Sequence, residues 1–220
     1  MKKNNKLKLV ILGAGGNATV IASAVEDIID AGGDYEILGY LDDIKEKGKL
    51  INNYPVLGTV PDAPSYLKDK DTMFVYSLLT AKKVNERIEK LMKLNLPMER
   101  FATLVHPQAT VSRHSSLGRG VVIMPGVVIS PNVSVGNFVL IYANSLIGHD
   151  VSIGDYCFVA NCVSVGSTVA LGKGAYLGSN SSIREKVNIG ENALVGLGAV
   201  VIKDVPDGKT VVGNPAKVLS

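Results

Sequence analysis

A chain of 220 residues, 46% hydrophobic and 20% charged, is long enough for one large domain or two modest ones and too apolar to stay unfolded. Its net charge of +3 is too small to argue for nucleic acid, and the lysines are scattered as on a solvated surface. No stretch approaches the ~20 apolar residues of a membrane-inserted helix, and the two cysteines, Cys157 and Cys162, lack C-x-x-C spacing and read as reduced thiols of a cytoplasmic protein.

The chain starts "MKKNNKLKLVILGAGG", a basic beginning and an apolar run that mimic a secretory signal. The apolar part is short and leads straight into a glycine turn, so "KLVILGA" is predicted as a strand buried on both faces. "NATVIASAVEDIIDAG" follows with helical spacing, Val20, Ile21, Ala24, Val25 and Ile28 on one face, closed by Gly32 and Gly33. "YEILGYLDD" is a second strand and "YPVLGTV" a short extended piece, after which Pro61 opens a weak helix to about Lys68. "DTMFVYSL" is another strand, and "TAKKVNERIEKLMKLN" a helix with Thr80 as its N-cap. This β-α-β order predicts a small parallel sheet.

From Val105 the pattern changes to a strict period of six. VHPQAT, VSRHSS, LGRGVV, IMPGVV and their successors run through VIKDVP as seventeen hexads, Val105 to Pro206, without insertion. The first position is always Val, Leu or Ile, and the fifth always Ala, Ser, Val or Cys. Each hexad supplies a short strand and a corner, three make a triangular coil, and the aliphatic first positions stack into the prism. The prediction is a hexapeptide-repeat parallel β-helix. An abundance of glycine, 23 residues, with no Trp fits such tight corners.

The third and fourth hexad positions face outward at the corners. In "IGHDVSIG" these are His149 and Asp150, whose stacked equivalents are Pro131 and Asn132 below and Ser167 and Thr168 above, so no ladder of the fold demands the pair. A neutral imidazole accepts a proton from an attacking amine or hydroxyl, and a carboxylate nearby fixes its tautomer. A solvated corner histidine is the plainer alternative. His106, before Pro107 in the first coil, reads as structural, and His114 as inert on an outer corner. Near the end of the helix Lys203, Lys209 and Lys217 either meet phosphates or are simply solvated charges, and Gly178 and Gly196 let a ligand approach the backbone.

In the first half, "GAGGNA", Gly13 to Ala18, satisfies G-x-G-x-x-G/A between a strand and a helix. Gly13, Ala14, Gly15, Gly16 and Asn17 thus form either a phosphate-binding turn or merely a tight strand-to-helix connection. Asp42 and Asp43, ending the second strand, sit where an acidic residue binds a ribose hydroxyl or a base, or belong to a polar loop. With only 104 residues before the repeat, half of a full NAD-binding sheet is missing, and a single nucleotide carrying a sugar fits better.

"VILGAGGNATVIASAV", "LGYLDD", "IGHD" and "LVGLGAVVIKDVPDGKTVVGNPAK", in that order along nearly the whole chain, resemble the bacterial nucleotide-sugar acetyltransferases of the sialic-acid O-acetyltransferase (NeuD-type) family, which includes N-acetyltransferases of UDP-, GDP- or dTDP-linked 4-amino-6-deoxy sugars. The resemblance implies a left-handed β-helix, a homotrimer, and acetyl-CoA in the groove between adjacent helices. It makes His149 the base and Asp150 its support, with the glycine turn and the aspartate pair holding the nucleotide-sugar. Ser167 is then a backbone donor to the oxyanion, and Gly178, Gly196, Leu197 and Lys203 contact acetyl-CoA. Relatives carry Glu at the place of Asp150, and His at the places of Asn17 and Phe158.

These readings divide the chain into a nucleotide-sugar domain (1–104), an acetyltransferase β-helix (105–206) and a tail (207–220). The expected reaction is transfer of acetyl from acetyl-CoA to the 4-amino group of a nucleotide-linked aminosugar in surface-glycan assembly, with no metal. The rivals are a sugar O-acetyltransferase, a nucleotide-binding regulatory β-helix trimer, and a zinc hydratase, for which the spacing of His106, His114 and His149 is poor.

Overall fold

The computed structural model describes residues 6–81 and 83–219, so the first five residues, Lys82 of the second predicted helix, and the final serine lie outside the described residues. The first half is a five-stranded sheet of β1 (Leu7–Leu12), β2 (Tyr35–Leu41), β3 (Leu50–Ile51), β4 (Tyr54–Gly58) and β5 (Thr72–Tyr76). Its order is β3-β4-β2-β1-β5, parallel except for β3 against β4. Helix α1 (Gly16–Asp30) crosses from β1 to β2, and its buried stripe is Ala18, Ile21, Ala22, Ala24 and Val25. Val20 departs from the expected face and is 44% exposed, because at 3.6 residues per turn it falls on the flank of that stripe. Residues 60–68 form a 3-10 helix, with Thr59 and Asp62 completing a capping box.

Helix α2 (Val84–Lys93) starts three residues later than predicted, with Lys83 rather than Thr80 at its N-cap. The carbonyls of Ser77 and Leu79 accept hydrogen bonds from the Asn17 amide, which holds this segment extended beneath the glycine turn.

The second half is a left-handed parallel β-helix. Among the described residues, seventeen two-residue strands recur every six positions from Leu104–Val105 to Val200–Val201. The first fourteen each pair with the strand 18 residues on, as Ile147 does with Val165. They form three sheets: one of six strands from Thr110–Val111 to Val200–Val201, one of five from Ser116–Leu117 to Asn188–Ile189, and one of eight that starts at Leu104–Val105. The last sheet is finished by Thr210–Val212 and an antiparallel Lys217–Val218.

First and fifth positions fill the prism: Ile147, Val151, Val165 and Val169 are each at most 1% exposed. Burying such a side chain stabilises by roughly 1.5–3 kcal/mol. At second positions on the edge after the six-stranded sheet the coils touch, and a Cβ on Gly148 would lie 2.7 Å from the Ser167 nitrogen. Every fourth position from Gly120 to Gly198 has positive φ, and Gly, Asn and Asp, the residue types that tolerate it, fill nine of these fourteen places.

Two bulky exceptions show what joins the halves. Phe138 and Tyr156 hold φ of 55° and 60° while their rings stack at 5.1 Å, with Phe101 edge-on to Phe138 at 4.8 Å. Both are buried against Val10, Leu12, Phe74 and Tyr76 of the N-terminal sheet. On the other side of that sheet, Leu9, Ile11, Ile21 and Val25 share a core with Leu104, Val122, Leu140 and Tyr142 of the eight-stranded face. That face is therefore covered.

His106, expected to be structural, is buried at the junction. Its Nδ1 accepts the Gln108 N–H at 3.1 Å, so its Nε2–H donates to Asp27 of α1 at 3.0 Å. Of the thiols, Cys157 is buried in the prism, where desolvation pushes it up to about 12, and Cys162 is exposed.

The prism interior and its outer strand positions should respond differently to truncation. Ile153→Ala removes a 3% exposed interior side chain and is expected to cost about 2–5 kcal/mol. Ser134→Ala on an exposed strand face should stay within about 0.5 kcal/mol. Urea midpoints of the two variants check both.

Candidate active site

His149 and Asp150 form the corner between Leu146–Ile147 of the six-stranded sheet and Ser152–Ile153 of the five-stranded sheet. This is the prism edge opposite the covered face. The backbone there is fixed by neighbouring coils: the His149 carbonyl accepts from Thr168 N–H at 2.9 Å, and Asp150 N–H donates to Pro131 O at 3.1 Å. With φ at 59°, Asp150 turns its short side chain back onto its neighbour. Nδ1 of His149 lies 2.6 Å from Oδ2 of Asp150, and the imidazole side chain is 62% exposed.

An ionised carboxylate only accepts hydrogen bonds, so Nδ1 carries the proton and the Nε2 lone pair is left free for an incoming proton. Asp150 is held in turn. Its Oδ1 accepts from the Asn132 amide at 3.0 Å, one coil below. The hydrogen bond from His149 first, and that from Asn132 second, hold its carboxyl below the usual range. Asn132 was legible only as a stacked equivalent, yet its 18-residue offset from Asp150 was the signal that places it there.

The residues expected to contact acetyl-CoA fall on two edges. Ser167 stands directly above His149, its N–H has no protein acceptor among the described residues, and exposed Lys203 lies three coils up on the same edge. Gly178, Gly196 and Leu197 lie on the edge between the eight- and six-stranded sheets. There Gly178 packs under Gly196 and Leu197, and Leu197 is 75% exposed. The six-stranded sheet separates these two groups within one chain.

The glycine turn belongs to the second of these edges. Asn17 Oδ1 accepts from the hydroxyl of Tyr142, which follows Ile141 of the eight-stranded sheet, at 2.8 Å. With Ser77 and Leu79 on its amide, the Asn17 side chain is engaged inside the protein rather than presented to a ligand. Phe158 is likewise filled in, stacked between Tyr142 and Tyr176 at 5.1 and 5.0 Å.

Gly13 has φ of 104°, and a Cβ on it would meet Leu78 at 2.6 Å. Gly15 and Gly16 open onto free space, and Gly15 caps α1 with no side-chain bond, leaving the first helical amides to an anion.

Ala14 N–H donates to Asp42 Oδ2 at 2.8 Å, and Asp42 Oδ1 accepts from Ile44 and Lys45 at 2.9 Å. These amides outweigh partial burial and keep the Asp42 carboxyl below the usual range. Asp43 accepts from Val60 N–H at 2.9 Å. Both aspartates thus shape the loop while also lining, with Gly15 and Tyr76, a cavity of about 690 Å³. A second cavity of about 260 Å³ is lined by Gly15, Gly16, Asn17, Ser77 and Thr80. Among the described residues no cluster of three His, Cys, Asp or Glu side chains is arranged to hold a metal ion. No helix among them is long and apolar enough to cross a membrane.

Known proteins share this arrangement. Residues 8–83 match the PglD N-terminal domain, and residues 114–148 and 132–167 match the bacterial transferase hexapeptide (six repeats). No curated protein sequence matches the chain. Among solved structures, the acetyltransferase domain of PglB from Neisseria gonorrhoeae FA1090 in complex with acetyl coenzyme A is 27% identical with a TM-score of 0.85, covering 97% of this chain and 100% of that one. A variant of perosamine N-acetyltransferase from Caulobacter crescentus, with one histidine changed to asparagine and bound to CoA and GDP-perosamine, is 26% identical with a TM-score of 0.84, covering 97% of each chain. WeeI from Acinetobacter baumannii AYE, 24% identical with a TM-score of 0.80 over 96% of this chain and 99% of that one, shares the fold.

Because a carboxyl depressed by its partners stays ionised below its ordinary value and protonates only as pH falls through the lower one, the His149–Asp150 contact should persist to more acidic pH than an ordinary aspartate would allow. Removing the amide in Asn132→Ala should raise the Asp150 carboxyl toward the ordinary range. A carboxyl-carbon NMR titration of both proteins measures the shift.

Proposed function

We propose that this chain, which has the fold and domain order of the NeuD-type nucleotide-sugar acetyltransferases, is an acetyl-CoA-dependent N-acetyltransferase that acetylates the 4-amino group of a nucleotide-linked amino-deoxysugar. The observation that carries this reading is the contact of 2.6 Å between Asp150 and Nδ1 of an exposed imidazole, on the prism edge left bare by the N-terminal domain. Similarity to a protein bound to acetyl-CoA and to another bound to CoA and GDP-perosamine supports the two substrates.

In the reaction the sugar amine attacks the thioester carbonyl of acetyl-CoA. His149 Nε2 takes the proton from that nitrogen, and the Ser167 N–H donates to the developing oxyanion. The C–S bond breaks with its electron pair on sulfur, the thiolate then taking the proton from His149 to leave as CoA. No covalent enzyme intermediate is required, since holding the two reactants together beside a base supplies the acceleration. Asp150 orients the ring and favours the imidazolium that forms.

The site is completed by a second copy. The glycine turn neighbours the edge that bears Gly178, Gly196 and Leu197, whereas His149, Ser167 and Lys203 occupy another edge. A homotrimer that sets one chain's first edge against the next chain's second edge brings both groups around one acetyl-CoA. In this reading residues 1–104 hold the nucleotide-sugar, 105–206 carry out transfer, and 207–220 close the prism. Gly13, Ala14, Gly15, Gly16, Asp42 and Asp43 form the nucleotide-sugar site. Asn17, a substrate ligand on the family pattern, instead ties the turn to Tyr142. The setting is cytoplasmic surface-glycan assembly.

Incubating the protein with acetyl-CoA and a panel of UDP-, GDP- and dTDP-linked 4-aminosugars, with hydroxyl acceptors alongside, should release free thiol with an amine acceptor. Turnover of hydroxyl acceptors alone would make it an O-acetyltransferase, and absence of acetyl-CoA binding by calorimetry would leave a nucleotide-binding scaffold. His149→Ala should lower kcat by about 10²–10⁴, with little change in the KM for acetyl-CoA; a variant keeping most of its turnover would remove His149 as the base.

A further inference from the structure

The cavities of about 690 and 260 Å³ meet: Gly15, Leu78 and Arg87 line both. A ligand running from one to the other passes between the open amides at the start of α1 and the guanidinium of α2. The larger cavity is mainly apolar where Ile44, Val60, Pro61 and Leu91 line it, which suits a nucleobase and ribose. The smaller is lined by Gly15, Gly16 and Thr80, whose backbone and hydroxyl groups suit a sugar.

Four cations of one helix region border the larger cavity: Lys83, Arg87, Lys90 and Lys93. Lys83 and Lys90 both pair with Glu86, at 3.8 and 3.4 Å. Arg87 has no carboxylate partner among the described residues, and its Nε is buried without a hydrogen-bond partner. A buried donor on a permanently charged group is costly to leave unmet, so the arrangement calls for an acceptor. The Tyr76 hydroxyl, donating to the Arg87 carbonyl at 2.9 Å, fixes where this residue emerges from α2.

We infer that Arg87 is the side chain that receives the diphosphate of the nucleotide-sugar, opposite the Gly15–Gly16 amides, with the nucleoside in the larger cavity and the sugar in the smaller. A guanidinium offers two parallel donors matched to phosphate oxygens, which a lysine does not. The inference rests on the nucleotide-sugar reading and adds to it the residue and the orientation.

Calorimetric titration with UDP, GDP and dTDP tests it, comparing the full chain with Arg87→Gln and Arg87→Lys, each checked for an unchanged circular dichroism spectrum. The diphosphate that the unaltered protein binds should bind Arg87→Gln about 10- to 100-fold more weakly. Arg87→Lys should lose less, and acetyl-CoA should bind all three alike. A diphosphate affinity that survives in Arg87→Gln overturns the role of Arg87 and leaves the nucleotide-sugar reading standing. Equal weakening of acetyl-CoA and diphosphate also overturns it, since that marks structural damage. If Arg87→Gln fails to fold, Arg87→Lys decides alone, because full diphosphate affinity in it removes the need for a guanidinium fork. Should none of the three diphosphates bind the unaltered protein, this inference falls together with the nucleotide-sugar reading.

Discussion

One backbone conformation, left-handed and repeated at every sixth residue, governs the second half of the molecule. The unbroken series of positive φ from Gly120 to Gly198 turns the chain at each corner and brings residues 18 apart into register. Once that register exists, aliphatic first positions and small fifth positions fall inside, and third and fourth positions fall on the edges. The left-handed corner is unfavourable for residues with a Cβ by roughly 1–2 kcal/mol each, which is why Asn, Asp and Gly recur there. Asp150 is one of these corner residues. The same conformation that suits the fold swings its carboxylate onto His149.

Where the corners carry Phe138 and Tyr156 instead, burial against the N-terminal sheet outweighs the backbone cost. Those two rings on one side, and Tyr142 with Leu140 on the other, fasten the first domain over a single face of the prism. Packing thereby decides which edges stay bare, and the bare edge is the one that carries the imidazole. Core energetics and site placement are thus the same fact seen from two sides.

The periodic half was readable because its rule is local: every hexad obeys it, and the stacked neighbours of any residue follow by counting. His149 and Asp150 stood out as polar residues that the rule did not need. Their direct contact was not readable, since adjacent corner side chains meet only if the fourth residue is left-handed. The N-terminal half was less legible at its junctions. Thr80 looked like a helix cap, but Asn17 engages the carbonyls before it and delays the helix to Val84. Asn17 and Phe158 read as departures from a family pattern, and only tertiary contacts with Tyr142 explain how they are accommodated. Arg87 carried no signal, being one cation among the lysines of a charged amphipathic helix, two of which turn out to pair with Glu86.

The contacts of His106 with Asp27 and of Asn17 with Tyr142 have a bearing on motion. Two bodies that share core clusters on both sides of the N-terminal sheet and are tied at both ends of α1 are packed for a fixed arrangement rather than for clamshell opening around their cargo. The span from the glycine turn to the nearby prism edge is established when the chain folds. Precision of approach is therefore built in beforehand rather than gained by closure.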